Sequence, residues 1–448
     1  MTSRINPQAP RPIPTTRPAT PTSPAGRPAE PSTPAGTAFT GTVASSADRL
    51  TGADAVSAQA KLDAISRLVS SRHVDRAEEG RILDILKSAS PKELNYLATK
   101  LDLHELAEAM DDRLVGPDNR TAFFELLTRE RAGDLSIPAR AALIGALQDG
   151  KTDRQKEHAI RDVFLATKGS ELTALKNGID AGDYHDLQQL VFRDLDDAGV
   201  QKSILEHIKA QAVPTGESKV LSDIDDTFYV NLKDKRYPGK TVYPGVRAFY
   251  EELDRGPKAE PGRKGDLAFV TARPNDRLGA VEAMTKKMLE DKGVEATVLS
   301  GDLLSNLSHE KIAEKKLENF QQYRQLYPEY GFSFLGDSGQ GDVLFGLKML
   351  KDSPALVKGV FINDVIDTPP AKRAELRAQG VYLTDTYVGA ATEAFKLGLV
   401  SKAGLDRIIT AARKDLDAIP FGDDAQRAAR KAELDRDVAA AQLAMAVP

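Results

Sequence analysis

The segment Val220-Leu221-Ser222-Asp223-Ile224-Asp225-Asp226-Thr227 constrains this chain more than any other. A short apolar run ends abruptly in three carboxylates and a threonine. Neighbouring carboxylates repel, so crowding them at a strand end is costly unless something offsets it. A hard divalent cation such as Mg²⁺ prefers oxygen ligands and would reverse that cost. The segment points to metal-dependent phosphate chemistry, with a solvated acidic turn as the plain alternative. A calcium loop of the EF-hand kind does not fit. Counted from Asp223, the sixth position is Phe228 where glycine is required, and the twelfth is Asp234 in place of a bidentate glutamate. Asp194-Leu195-Asp196-Asp197 has a similar composition but lies in a helical pattern with no strand before it, and reads as a solvated helix face.

Two further apolar runs end in the same way. Leu267-Ala268-Phe269-Val270 leads into Thr271-Ala272-Arg273-Pro274, and Phe332-Ser333-Phe334-Leu335 leads into Gly336-Asp337-Ser338-Gly339-Gln340-Gly341-Asp342. Open α/β sheets bind ligands at the carboxyl ends of their strands, so the three ends are expected to converge on one site. Thr297-Val298-Leu299, Val360-Phe361-Ile362 and Val381-Tyr382-Leu383 are further strand candidates, and helical patterns lie between them. That alternation predicts an α/β fold with a parallel sheet and helices on both faces.

These residues resemble the haloacid dehalogenase-like phosphatase superfamily. The chain looks most like the Mg²⁺-dependent phosphatidate phosphatase catalytic domain of the actin-patch-protein-1 type. The superfamily pattern is Asp223-x-Asp225-x-Thr227, Thr271, a lysine, then Gly336-Asp337 with Asp342. The narrower likeness adds Ser222, Tyr243-Pro244-Gly245-Val246, Phe249-Tyr250 and Ser338-Gly339-Gln340, and spans about Val220 to Leu399. The chain departs from the family at Thr271-Ala272-Arg273-Pro274, where a Ser-x-Ser-Pro element is usual, and at Asn363, where arginine is usual. These departures bear on the choice of substrate and leave the phosphoryl chemistry intact.

The resemblance implies a set of roles. Asp223 is the nucleophile that forms an aspartyl-phosphate. Asp225 protonates the leaving oxygen and then activates water; residues i and i+2 of a strand point the same way, so both carboxylates can face one substrate. Mg²⁺ is held by Asp223, Asp225 (through its carbonyl), Asp337 and Asp342, with Asp342 as ligand or as support. Thr271 bonds the transferring phosphoryl, and Thr227, Arg273 and Ser338 are substrate contacts. Arg273 reads equally well as a salt bridge at its loop, and Asp226 as the cap of its turn. A lysine neutralises Asp223 and the phosphate. Lys311, Lys315 and Lys316 are the candidates, and the family spacing to Pro328 and Gly336 favours Lys316.

The implied activity is that of a phosphomonoesterase acting on phosphatidate or a related phospholipid, with a phosphorylated partner molecule at an anionic membrane surface. Only 43 residues separate Thr227 from Thr271, and 44 separate Thr271 from Lys316, which leaves little room for a cap. Phe228, Tyr229, Tyr237 and Tyr243 alternate with Lys233, Lys235, Arg236 and Lys240 after the nucleophile, a mixture suited to an anionic interface or to a solvated flap.

The rest of the chain bounds this reading. Ten prolines between Pro7 and Pro34 mark residues 1–46 as a disordered arm. Residues 47–212 read as a helical domain with an internal duplication at a separation of 78: Ile82, Leu86, Leu94 and Leu97 align with Ile160, Phe164, Leu172 and Leu175. Gly150-Lys151-Thr152-Asp153 with Glu157 resembles part of an annexin repeat, so the alternative function is a membrane- or partner-binding effector with weak catalysis. The catalytic domain is assigned to 213–401 and an Ala- and charge-rich helical tail to 402–448, broken at Pro420-Phe421-Gly422. A net charge of −5 gives no basic footprint for nucleic acid. The chain has no cysteine, no Walker loop, no paired zinc histidines and no run long enough for a transmembrane segment. The expected location is the cytoplasm, with peripheral membrane attachment or secretion by a non-classical bacterial route as alternatives.

Overall fold

Six short runs pair side by side in one direction. They are β1 (Ser218–Ser222), β2 (Leu267–Pro274), β3 (Thr297–Gly301), β4 (Gly331–Asp337), β5 (Val357–Asn363) and β6 (Val381–Thr384). The structure is a computed structural model describing residues 50, 52–69, 74–110, 119–180, 187–257, 267–274, 280–294, 297–301 and 308–446. The proline-rich arm lies outside the described residues. The sheet is parallel throughout, in the order β3-β2-β1-β4-β5-β6. This doubly wound order changes direction between β1 and β4, and there a ligand crevice is expected. The α/β class with a parallel sheet and a preceding helical region is therefore as the sequence predicts.

The period of two along each strand sorts side chains to opposite faces. Leu221, Ala268, Val270, Phe334, Val360 and Ile362 join one core, while Val220, Phe269, Leu335 and Phe361 join the other.

The helical region supplies the first core. Its main helices are α1 (Ala53–Val69), α2 (Arg76–Ser88), α3 (Pro91–Lys100), α4 (Leu103–Ala109), α5 (Asn119–Glu125), α6 (Ile137–Gln148), α7 (Arg154–Ala166), α8 (Gly169–Asp180), α9 (Leu187–Gln189) and α10 (Ala198–Gln211). The duplicated segments form equivalent helices, α2 with α7 and α3 with α8. Asp75 and Asp153, separated by the same 78 residues, cap α2 and α7 with hydrogen bonds to backbone N–H groups. Asp153 also pairs with Arg120 at 2.6 Å, so the carboxylate of the Gly150–Asp153 loop is already engaged. Each half also carries a π-helical turn, Leu126–Glu130 and Leu190–Asp194, which the sequence repeat did not reveal.

After β1 come α11 (Val246–Arg255), α12 (Ala280–Asp291), α13 (His309–Leu326), α14 (Asp342–Asp352), α15 (Pro370–Ala378) and α16 (Tyr387–Lys396). The tail folds as α17 (Lys402–Asp417) and α18 (Asp424–Ala446). It does not stand apart: Leu405, Ile408, Leu434 and Val438 share the second core with Val246, Phe249 and Tyr387. Among the described residues, only a flap lies between β1 and α11, and α12 is the helix between β2 and β3.

Candidate active site

Asp223 follows β1 directly, and its N–H donates to the Leu335 carbonyl at 2.8 Å, so β4 fixes its height. Ile224 points into the second core. Asp225 follows, half-buried, and accepts from Asn231 Nδ2 at 2.8 Å. Asp226 sits in the left-handed region at φ 59°. Its buried carboxylate accepts from the backbone N–H groups of Asn231, Leu232 and Lys233. It thus ties the flap down, beyond the capping of its own turn. Thr227 is fully buried, and Tyr387 donates to its carbonyl at 2.5 Å.

Lys316 arrives from α13. Its ammonium donates to Asp223 Oδ1 at 2.6 Å and to Asp342 Oδ1 at 2.5 Å. Of the other two lysines, Lys311 is exposed and Lys315 pairs with Glu318 at 3.0 Å. Asp337, at the end of β4, accepts from Gly339 N–H at 2.7 Å and from Gln340 Nε2 at 3.3 Å. Asp342 opens α14 and accepts the Asp337 N–H on Oδ2 at 3.2 Å, so both its oxygens are engaged. Gly336 permits this approach, because a Cβ there would meet Asp342 Cβ at 2.6 Å.

Burial raises Asp223 to about 7, against the pull of Lys316 and helped by Asp342 and Asp225. Burial, then Asp342 and Asp223, raise Asp337 well above the usual carboxylate range. Burial opposes the charge on Lys316, yet Asp223 and Asp342 hold it above the usual lysine range.

Asp223, Asp337 and Asp342 can each offer an oxygen within 4.8 Å of the others. Three buried carboxylates face one buried ammonium, so two formal negative charges are unbalanced, and an all-oxygen set suits a hard divalent cation. Asp223 Oδ2 and Thr227 Oγ1 are buried with no hydrogen-bond partner. Buried polar atoms are ordinarily satisfied, and these two point to a ligand. The donor set fits Mg²⁺.

The other expected residues are placed as follows. The side chains of Thr271 and Arg273 lie outside the described residues; their backbone belongs to β2. Ser338 Oγ donates to Asp364 at 2.7 Å and accepts the Val365 N–H at 2.9 Å, so its hydroxyl holds the loop after β5. Asn363 donates to the Asp226 carbonyl at 2.9 Å and accepts from Arg236 at 3.2 Å, so a guanidinium reaches this position from the flap.

Sequence reasoning missed two further neighbours. Asn231 binds the Asp225 carboxylate. The stem of Lys233 lies over Gly339: a Cβ there would meet Lys233 Cγ at 3.0 Å and Asp337 Oδ1 at 3.1 Å. The alternation of charged and aromatic residues in the flap marked the region but not these contacts.

The six-stranded parallel sheet thus carries a buried carboxylate directly after β1, Asp223, and two more at the end of β4 and the start of α14, Asp337 and Asp342. Residues 218–364 match the family model described as phosphatidate phosphatase APP1, catalytic domain. This span runs from the first residue of β1 to one residue past β5, less than half of the chain, and its likeness is to a phosphatase catalytic domain. No curated protein and no solved structure matches the chain.

Proposed function

We propose that the chain is a Mg²⁺-dependent phosphomonoesterase that works through an aspartyl-phosphate on Asp223, with phosphatidate or a related phospholipid as its substrate class. One observation carries the mechanism. Lys316 holds Asp223 Oδ1 and leaves the buried Oδ2 without a partner, which orients one oxygen for attack.

Asp223 and Asp337, with the Asp225 carbonyl, are the proposed metal ligands. Asp342 joins them or, with both oxygens engaged, fixes Lys316 and the Asp337 loop. Bound there, Mg²⁺ neutralises charge on the phosphoryl oxygens. Asp223 attacks phosphorus, a new P–O bond forms, and the ester P–O bond breaks as Asp225 protonates the leaving oxygen. Asp225 then takes a proton from water, which attacks phosphorus and releases Asp223 with inorganic phosphate. Thr271, Arg273 and Thr227 are the proposed phosphoryl contacts. Catalysis of this kind rests on positioning and charge stabilisation.

The family description supports a lipid substrate. So do the exposed tips beside the site: Leu232 in the flap and Ile366 after β5 are both more than half exposed, and Lys233 lies next to Leu232. No described helix is long and apolar enough to cross a membrane, so attachment at the surface is part of the proposal. A panel of phosphatidate, phosphoproteins and soluble sugar phosphates, assayed for phosphate release with and without Mg²⁺, tests it. Release from phosphatidate above the others, lost on chelation, is the expected result; preference for a soluble sugar phosphate would remove the lipid reading.

A further inference from the structure

Three cations gather beside the flap: Lys240, Lys292 and Arg247. Lys240 Nζ and Lys292 Nζ lie 5.2 and 5.0 Å from the centre of the Tyr229 ring. Lys292 Nζ also donates to the Lys240 carbonyl at 3.2 Å, which brings the two stems together. Arg247, in the first turn of α11, is next to them, since a Cβ on Gly293 would be 3.9 Å from its Nε. That Nε is buried and has no hydrogen-bond partner. Among the described residues, Glu251, one turn along α11, is within electrostatic reach of Arg247. No ion pair joins it or any other described carboxylate to the three cations. Burial, then Arg247 and Lys240, hold Lys292 below the usual lysine range.

Like charges that crowd together are unfavourable, and a counter-anion reverses the sign. The partners on offer suit oxyanions: a guanidinium fork and two ammoniums. The cluster also adjoins the catalytic centre. Lys240 Nζ donates to Asn231 Oδ1, and Asn231 Nδ2 donates to Asp225 Oδ1.

We propose that Lys240, Lys292 and Arg247 form an anion subsite beside the phosphatase centre, which takes a phosphate-class oxyanion next to the phosphomonoester being hydrolysed. It rests on the phosphatase reading for its purpose but not for its existence. On a lipid substrate the anion is a neighbouring anionic headgroup; otherwise it is a free phosphate group.

The test uses the full chain and reads binding, not turnover, so its failure is separate from failure of the phosphatase assay. The probes are phosphatidylcholine vesicles with and without phosphatidylglycerol, followed by flotation, and inorganic phosphate, followed by calorimetry. One cation near an anionic surface contributes about a factor of five, so Lys292→Gln should weaken binding about fivefold and Lys292→Glu about thirtyfold. The glutamine variant keeps nearly the same bulk, and equal thermal melts confirm that it folds. Weakening towards phosphatidylglycerol vesicles assigns the anion to a headgroup, and weakening towards phosphate alone assigns it to a soluble ligand; both uphold the subsite. Equal binding by wild type and both variants overturns it, as does failure of the wild type to bind either probe.

Discussion

Lys316 is the one ammonium that bridges Asp223 and Asp342, so removing it leaves buried carboxylates facing one another. Lys316→Met is expected to lower kcat by about 10²–10³, the usual loss for a preorganised charge at a transition state. It should also cost about 3–5 kcal/mol of stability in the absence of metal, as breaking a buried pair does; phosphate release and chemical denaturation read the two effects. The raised Asp223 and Asp337 carboxyls predict a pH effect with a definite sign. Both folded pKa values lie above the unfolded ones; for Asp223 the window runs from about 4 to about 7, and within it the native state holds more protons, so stability falls as pH rises. Metal-free protein should therefore melt higher at pH 5.5 than at pH 7.5 on account of these groups, and Mg²⁺ should restore stability mainly at the higher pH. Equal melting at both pH values, with no response to Mg²⁺, would contradict the metal site. At this scale the sequence was informative, because Asp223, Asp225, Asp337 and Asp342 follow apolar runs and crowd like charge. The choice among the three lysines needed α13 itself, since its helical turn decides that Lys316 faces inward while Lys311 and Lys315 face out.

The flap between β1 and α11 is tied down by its own acidic side chains. Asp226 holds its near end, and Tyr243 and Arg236 converge on the buried Asp234, with Tyr243 donating at 2.8 Å. Asp226→Ala removes the carboxyl acceptor of three backbone N–H groups, each such bond contributing about 1 kcal/mol or more. The expected outcome is faster amide exchange at Leu232 and Lys233, with a fall in kcat/KM because Asn231 no longer fixes Asp225. Unchanged exchange there would remove Asp226 from this role. The strands were legible from their apolar runs and the order of their polar ends. The flap was not, because its bonds, from Asp226 to the N–H groups of Asn231, Leu232 and Lys233 and from Tyr243 and Arg236 to Asp234, follow no helical or strand period, and Asn363 joins them from β5.

Taken whole, the helical repeats and the catalytic sheet share a core, and their seam is polar as well as apolar. Lys176 of α8 is buried and donates to Glu329 at 2.7 Å and to the Leu326 carbonyl at 2.7 Å, while Thr173 donates to the same Glu329 oxygen at 2.8 Å. Lys219 of β1 donates to Asn177 at 3.0 Å and lies 4.0 Å from the Tyr327 ring centre. α13 therefore carries Lys316 into the active site near its middle and leads at its C-terminal end into Tyr327 of this seam. Lys176→Met should cost about 3–5 kcal/mol by stranding Glu329, and Lys176→Met with Glu329→Leu should recover most of it. Additive losses in the double-mutant cycle would show that the pair is not coupled. The helical pattern and the 78-residue repeat were visible in the sequence. The seam was not, since nothing local in the sequence marks Lys176 and Lys219 as buried.

The central claim is that the phosphoryl group passes through Asp223. Acid quenching during turnover of radiolabelled phosphatidate with Mg²⁺, followed by peptide mapping, tests it most directly. The account predicts label on the peptide containing Asp223, absent in Asp223→Asn together with a loss of turnover of at least about a thousandfold. Full turnover by Asp223→Asn, or label on a peptide that lacks Asp223, would contradict it.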